Sequence, residues 1–191
     1  MTLVAPEKKE WFRSLFDPVT RFFVQTGVHP NVLTLVGFLL ACLSGWRLWD
    51  GHFRSGALLF LLGGLFDTFD GSVARATGRG SRFGAFLDSS TDRYAEIVPL
   101  LGLSHALRDS SLFLLPFLVI TGSLMVSYNR ARIEGLGGEC SVGLLERPER
   151  VVILFLGLVL GSFFLPLSLV LLAAGSHYTA FQRMRHARKV L

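Results

Sequence analysis

Charge is scarce in this chain. Of its 191 residues only 17% are Asp, Glu, Lys or Arg, against 51% hydrophobic residues, whereas a soluble domain carries about 25% charged residues. That shortage of solvating groups excludes a disordered chain and argues against a soluble globular one. Cysteine is scarcer still. Cys42 and Cys140 are too few for a disulfide framework, and both are expected to be reduced and without chemistry. Lysine is also rare, which leaves Arg as sixteen of the nineteen cations. A guanidinium grips phosphate bidentately where an ammonium acts as a point charge. Anionic partners are therefore expected, with nucleic acid not among them. No internal repeat or low-complexity segment is present, and the five histidines (His29, His52, His105, His177 and His186) read as interfacial or structural.

What is abundant is apolar sequence in long runs. Asn31–Trp49 and Ser111–Val126 are two of them, and Val151–Ala174 is 24 residues without a charge. Gly56–Ala76 and Phe83–Leu103 have span-like length, yet each contains aspartates. A bilayer span needs roughly 20 apolar residues, fewer where protein covers part of the helix. Taken as one helix, residues 151–182 would be about 48 Å long at 1.5 Å per residue, against a hydrocarbon core of about 30 Å. A break at Gly161–Pro166 gives two short helices instead. The expected fold is then an all-α integral membrane protein of six transmembrane helices.

Charge placement agrees with that count. Lys8, Lys9, Arg13, Arg21, Arg75, Arg79, Arg82, Arg93, Arg130, Arg132, Arg147, Arg150, Arg183, Arg185, Arg188 and Lys189 fall in one alternating set of segments. Only Arg47, Arg54 and Arg108 fall in the other. The positive-inside rule puts both termini and the basic loops in the cytoplasm, which requires an even number of spans. The charged first thirty residues, broken by Pro6 and Pro18, show no cleavable signal peptide. Within residues 1–28, Trp11, Phe12, Leu15, Phe16, Val19, Phe22 and Phe23 recur at helical spacing. They predict an amphipathic helix in the cytoplasmic interface, bent at Asp17–Pro18, with a partner-binding helix as the alternative. Residues 29–191 form the six-helix domain.

Four aspartates stand where an apolar helix should have none. A charge at membrane depth costs about 2.5–3.5 kcal/mol on insertion scales, so it ordinarily marks function. Asp67 and Asp70 are three apart and Asp88 and Asp92 four apart, so each pair lies on one face of its helix. The short connection Ala76–Phe83, with Gly78 and Gly80, makes the two helices antiparallel neighbours and lets the four carboxylates converge at one membrane face. Oxygen ligands without nearby His or Cys suit a hard ion, Mg²⁺, Mn²⁺ or Ca²⁺, and four carboxylates can hold two. Gly71, Ala74 and Gly84 permit close approach of a backbone or ligand, and Arg75 is placed to take a phosphate. The plain alternative is that Asp67 or Asp70 merely pairs with Arg75, Arg82 or Arg93.

The string D-x₂-D-G-x₂-A-R-x₈-G-x₃-D-x₃-D from Asp67 to Asp92 resembles, without departure, the signature of the CDP-alcohol phosphotransferase family. That resemblance implies a divalent-metal-dependent phosphatidyltransferase with its site in a polar cavity open to the cytoplasm. It implies Asp67, Asp70, Asp88 and Asp92 around two Mg²⁺ or Mn²⁺ ions, with Asp92 as the general base. Gly71, Ala74 and Arg75 would hold the CDP-linked donor, with Asn31, Thr34 and Ser81 as further donor contacts; Asn31 reads equally well as a helix N-cap. Family members are typically homodimers.

A second stretch, Ser127-Tyr-Asn-Arg130-Ala-Arg132-Ile-Glu134, and the later Glu146-Arg-Pro-Glu-Arg150 resemble the phosphatidylinositol-phosphate synthase branch. There the donor is CDP-diacylglycerol and the acceptor an inositol phosphate, gripped at positions matching Arg130, Arg150 and Arg183. Arg130 departs from the Lys common in that branch, which bears on the identity of the phosphorylated polyol. Snorkelling arginines at the inner face are the plain alternative. The rival acceptor is glycerol 3-phosphate; neutral acceptors leave three arginines without a partner. A cation transporter would instead spread its carboxylates along a path through the bilayer. The expected location is a prokaryotic cell membrane, among whose lipids the enzyme works.

Overall fold

The computed structural model describes residues 17–161 and 163–191. Residues 17–25 are helical (α1), and six helices follow: α2 Pro30–Trp49, α3 Phe53–Thr77, α4 Arg82–Ala106, α5 Leu115–Gly135, α6 Arg147–Leu160 and α7 Phe164–Val190. Each matches an expected apolar segment. Three of them, α2, α3 and α7, are long and apolar enough to cross a membrane, which makes the chain a membrane protein.

Local chemistry sets the boundaries. Pro30 opens α2, where a missing N–H costs nothing, and the His29 ring accepts a hydrogen bond from the Asn31 amide. The N-cap alternative for Asn31 therefore falls to His29. α3 ends on Gly78 at φ +64°, a left-handed cap that favours glycine. Ser81 then caps α4, its hydroxyl accepting from the Gly84 amide at 2.9 Å. The expected break in the last apolar run is present: Gly161 at φ +89° closes α6, and α7 starts at Phe164. Cys42 and Cys140 are free.

Trp11, Phe12, Leu15 and Phe16 of the expected interfacial helix lie outside the described residues. In α1, Val19 and Phe22 are exposed. Phe23 turns inward, with its ring centroid 5.9 Å from Phe66 and 5.7 Å from Phe69 of α3.

The helices pack as two groups. α2 lies antiparallel to α3 and parallel to α4, while α7 packs against α5 and α6; α3–α6 and α4–α5 contacts join the groups. Small residues set the closest approaches. A Cβ on Gly102 would collide with the Gly45 carbonyl oxygen, and one on Gly37 would fall 3.0 Å from that of Gly63. One expectation is corrected here. α3 and α4 are joined by a short connection, yet they touch each other little, because α2 packs against both. The carboxylates of α3 and α4 thus face a gap between the helices.

Candidate active site

That gap opens as a cleft of about 200 Å³ lined by Asn31, Thr34, Asp70, Gly71, Ala74, Arg75, Ser81 and Asp88, with Arg79, Gly80 and Gly84 beside them. It therefore gathers every residue expected to contact the donor. The first turn of α2 forms one wall, the last turns of α3 the second, and the start of α4 the third. Glycine matters at the mouth: a Cβ on Gly84 would lie 3.0 Å from Asn31 Oδ1, and one on Gly71 would lie 3.2 Å from Arg75 Nη1. Arg75 is exposed and loosely held, donating to Ser72 Oγ at 3.3 Å. A guanidinium at the rim with donors to spare suits a phosphate.

At the inner end, Asp67, Asp70 and Asp88 each present a ligand atom, and these atoms all lie within 4.8 Å of one another. Asp70 is buried, and its carboxylate accepts a 2.5 Å hydrogen bond from Thr34 Oγ1. That bond fixes the orientation of the carboxylate. Three acids so close repel strongly unless a cation lies among them. An all-oxygen donor set of this kind fits Mg²⁺ or Mn²⁺.

Asp92 stands one helical turn deeper on α4 and is held differently. Arg147 Nη1, from the first turn of α6, lies 2.5 Å from Asp67 Oδ2 and 2.6 Å from Asp92 Oδ1. Only the first contact has hydrogen-bond geometry, so Asp92 Oδ1 is an ion-pair partner without a hydrogen bond. Two neighbouring carboxylates repel each other, and a guanidinium in contact with both offsets that repulsion. The alternative pairing of Asp67 with Arg75, Arg82 or Arg93 is not the one formed: its ion-pair partner is Arg147.

The three arginines expected at the acceptor differ from one another. Arg130 is exposed and pairs with Glu134 one turn on, at 2.8 Å. Arg183 is buried, and donates to the carbonyls of Val142 (2.9 Å) and Val126 (2.8 Å). Arg150 is buried and committed: Nη2 and Nε reach Glu96 Oε1 at 2.7 and 3.2 Å, and Nη1 reaches the Leu145 carbonyl. The segment 136–146 lies across α7. Leu144 N donates to Gln182, Leu145 N to Thr179, and the His186 ring meets the Glu139 carbonyl.

Sequence reasoning missed Arg147 and Glu96. Arg147 reads as one more inner-face anchor, and only contacts across 80 residues of chain show its partners. Glu96 left a signal: Asp88, Asp92 and Glu96 recur every four residues, a column of acids on one face of α4.

Comparison with known proteins agrees with this geometry. Residues 27–181 match the family model described as CDP-alcohol phosphatidyltransferase. The archaetidylinositol phosphate synthase of Methanothermobacter thermautotrophicus is 36% identical over 188 residues, covering 94% of this chain and 95% of the relative. The phosphatidylinositol phosphate synthase of Mycobacterium tuberculosis strain H37Rv is 32% identical over 185 residues, 91% of this chain and 85% of that one. The crystal structure of the M. tuberculosis synthase with CDP-DAG bound superposes with a TM-score of 0.82 at 30% identity, over 91% of this chain and 93% of that one. A second structure of that synthase, in complex with manganese and citrate, also gives a TM-score of 0.82 at 30% identity, over 91% of this chain and 88% of that one. Fold, carboxylate cluster and family match agree, and the chain is a member of the CDP-alcohol phosphatidyltransferase family.

Proposed function

We propose that the chain transfers a phosphatidyl group from CDP-diacylglycerol to a hydroxyl of inositol phosphate, giving phosphatidylinositol phosphate and CMP. One observation carries this reading: a cleft of about 200 Å³ lined by Arg75 reaches Asp70 and Asp88, whose ligand atoms lie within 4.8 Å of each other and of that of Asp67. The names of the relatives, synthases of inositol-phosphate lipids, support the acceptor.

Asp67, Asp70 and Asp88 would hold Mg²⁺ or Mn²⁺, with Asp92 completing a two-ion set. Bound there, divalent ions neutralise the donor pyrophosphate and the charge on the departing CMP. The chain's own residues do the rest. Gly71 and Ala74 leave room for the nucleotide, Arg75 binds its phosphate, and Asn31, Thr34 and Ser81 line its seat. Asp92 takes the proton from the acceptor hydroxyl as oxygen bonds to the diacylglycerol-bearing phosphorus and the bond to CMP breaks. Arg130, exposed near the end of α5, binds the acceptor phosphate, and Arg150 and Arg183, engaged by Glu96 and by backbone carbonyls near the ends of α6 and α7, add their positive charge to its seat.

The remaining helices α4, α5 and α6 also span the bilayer in this reading, which gives six spans. Both termini and the cleft face the cytoplasm, where sixteen of nineteen cations gather. The N-terminal helix lies in the interface, and the enzyme works as a homodimer in a prokaryotic cell membrane, which cross-linking in native membranes tests.

The decisive experiment is CMP release by the purified chain with CDP-diacylglycerol and a panel of acceptors. Inositol phosphate is expected to give the highest kcat/KM. Preference for glycerol 3-phosphate would reassign the acceptor, and no CMP release with any member of the panel would overturn the reading.

A further inference from the structure

Arg147 occupies an unusual place among the acids. Its side chain is only 21% exposed, and a single nitrogen, Nη1, stands between Asp67 Oδ2 and Asp92 Oδ1. Its Nε is buried with no hydrogen-bond partner. An arginine that serves as a permanent strut uses its planar fork, with several N–H groups engaged at once. Arg150, one turn along α6, does so: its Nε, Nη1 and Nη2 all have acceptors. Arg147 does not. It places one charged nitrogen between two acids, as a simple cation would stand.

The backbone beneath it is held firmly. Pro148 fixes the first turn of α6, and Arg150 ties that turn to α4 through Glu96. Freedom at Arg147 therefore belongs to its side chain. Asp67, in turn, has two claims on it. The same residue that accepts from Arg147 also belongs to the trio with Asp70 and Asp88.

Resting on the reading that this trio holds a divalent ion, we propose that Arg147 is a positioning residue that acts as an exchangeable counter-ion. It holds Asp67 and Asp92 together before metal binds, and gives up Asp67 to the incoming ion. Before metal binds, the guanidinium offsets part of the repulsion between Asp67 and Asp92, and the exchange hands that role to the ion, so the helices carrying the acids stay folded with or without metal. It also frees a guanidinium beside Asp92 at the moment that carboxylate is needed.

The test compares the full-length chain with Arg147→Gln and Arg147→Lys in nanodiscs. Thermal unfolding is recorded in chelator and in saturating Mn²⁺, and Mn²⁺ affinity is measured by electron paramagnetic resonance. Exchange predicts that Arg147→Gln lowers Tm in chelator, that saturating Mn²⁺ removes most of this deficit, and that Mn²⁺ binds about tenfold more tightly; the last two results are linked, because a ligand stabilises the state it binds. Arg147→Lys, with its charge kept but its fork lost, shows the same pattern in smaller measure, and carries the test if Arg147→Gln fails to fold without metal. An equal Tm deficit with and without Mn²⁺, together with unchanged or weaker Mn²⁺ binding, makes Arg147 a fixed strut and overturns the proposal. A wild-type chain that takes up no Mn²⁺ overturns the metal reading itself, and the exchange with it.

Discussion

Glu96 of α4 and Arg150 of α6 form an ion pair with Nη2 and Oε1 2.7 Å apart and both side chains buried, at 9% and 5% exposure. Its position matters as much as its length. Asp88, Asp92 and Glu96 form a column on α4, while Arg147 and Arg150 form a matching pair on α6. The lower rung joins the helices, and the upper rung reaches the acid cluster.

Removing one partner of a buried pair leaves an uncompensated charge and costs about 3–5 kcal/mol. Glu96→Ala is therefore expected to lower the Tm markedly, and Glu96→Leu combined with Arg150→Met to recover most of the loss. Thermal unfolding of the single and double variants measures this. The double variant, if folded, then shows whether Arg150 also serves the acceptor: its acceptor KM rises while its donor KM holds.

Asp92→Asn keeps the shape of the side chain but cannot take a proton. Turnover should fall by at least about a hundredfold, with CDP-diacylglycerol binding retained. CMP release and donor binding, measured on the same preparation, separate the two, and unchanged turnover would remove Asp92 as the base.

Thr34→Val is close to isosteric and deletes the 2.5 Å hydrogen bond to Asp70. Hydrogen bonds to charged groups contribute about 1.5–3 kcal/mol. With Asp70 no longer oriented, apparent Mn²⁺ affinity should fall by at least about tenfold. A titration of activity against free Mn²⁺ reads the shift.

Arg130→Ala should raise the KM for inositol phosphate several-fold and leave the donor KM nearly unchanged. Arg130 is exposed and pairs with Glu134, and an exposed pair contributes at most about 1 kcal/mol to stability. Its loss should therefore not disturb the fold. Equal changes in both KM values would place Arg130 outside the acceptor site.

Much of this molecule was legible before any coordinates. Apolar run length marked the helices, and the Gly161–Pro166 break was found because an unbroken helix would be too long for the membrane. The acids of α3 and α4 stood out because burial in lipid penalises charge. What stayed hidden was pairing across long stretches of chain. Arg147 meets Asp67 80 residues away, and Arg150 meets Glu96 54 residues away; nothing in local periodicity links such positions. The place of α2 is hidden too: a short connection between α3 and α4 says where the two helices start and not that a third packs against both.

The wedge position of α2 has a mechanical consequence. Since α3 and α4 each rest on α2 more than on one another, the separation of their acids is gauged by two glycine contacts, Gly37 with Gly63 and Gly45 with Gly102. Neither contact contains an ionisable atom. Adding a single methyl group at Gly102 would push α4 away from α2, so the spacing of the acids rests in part on residues with no chemistry of their own.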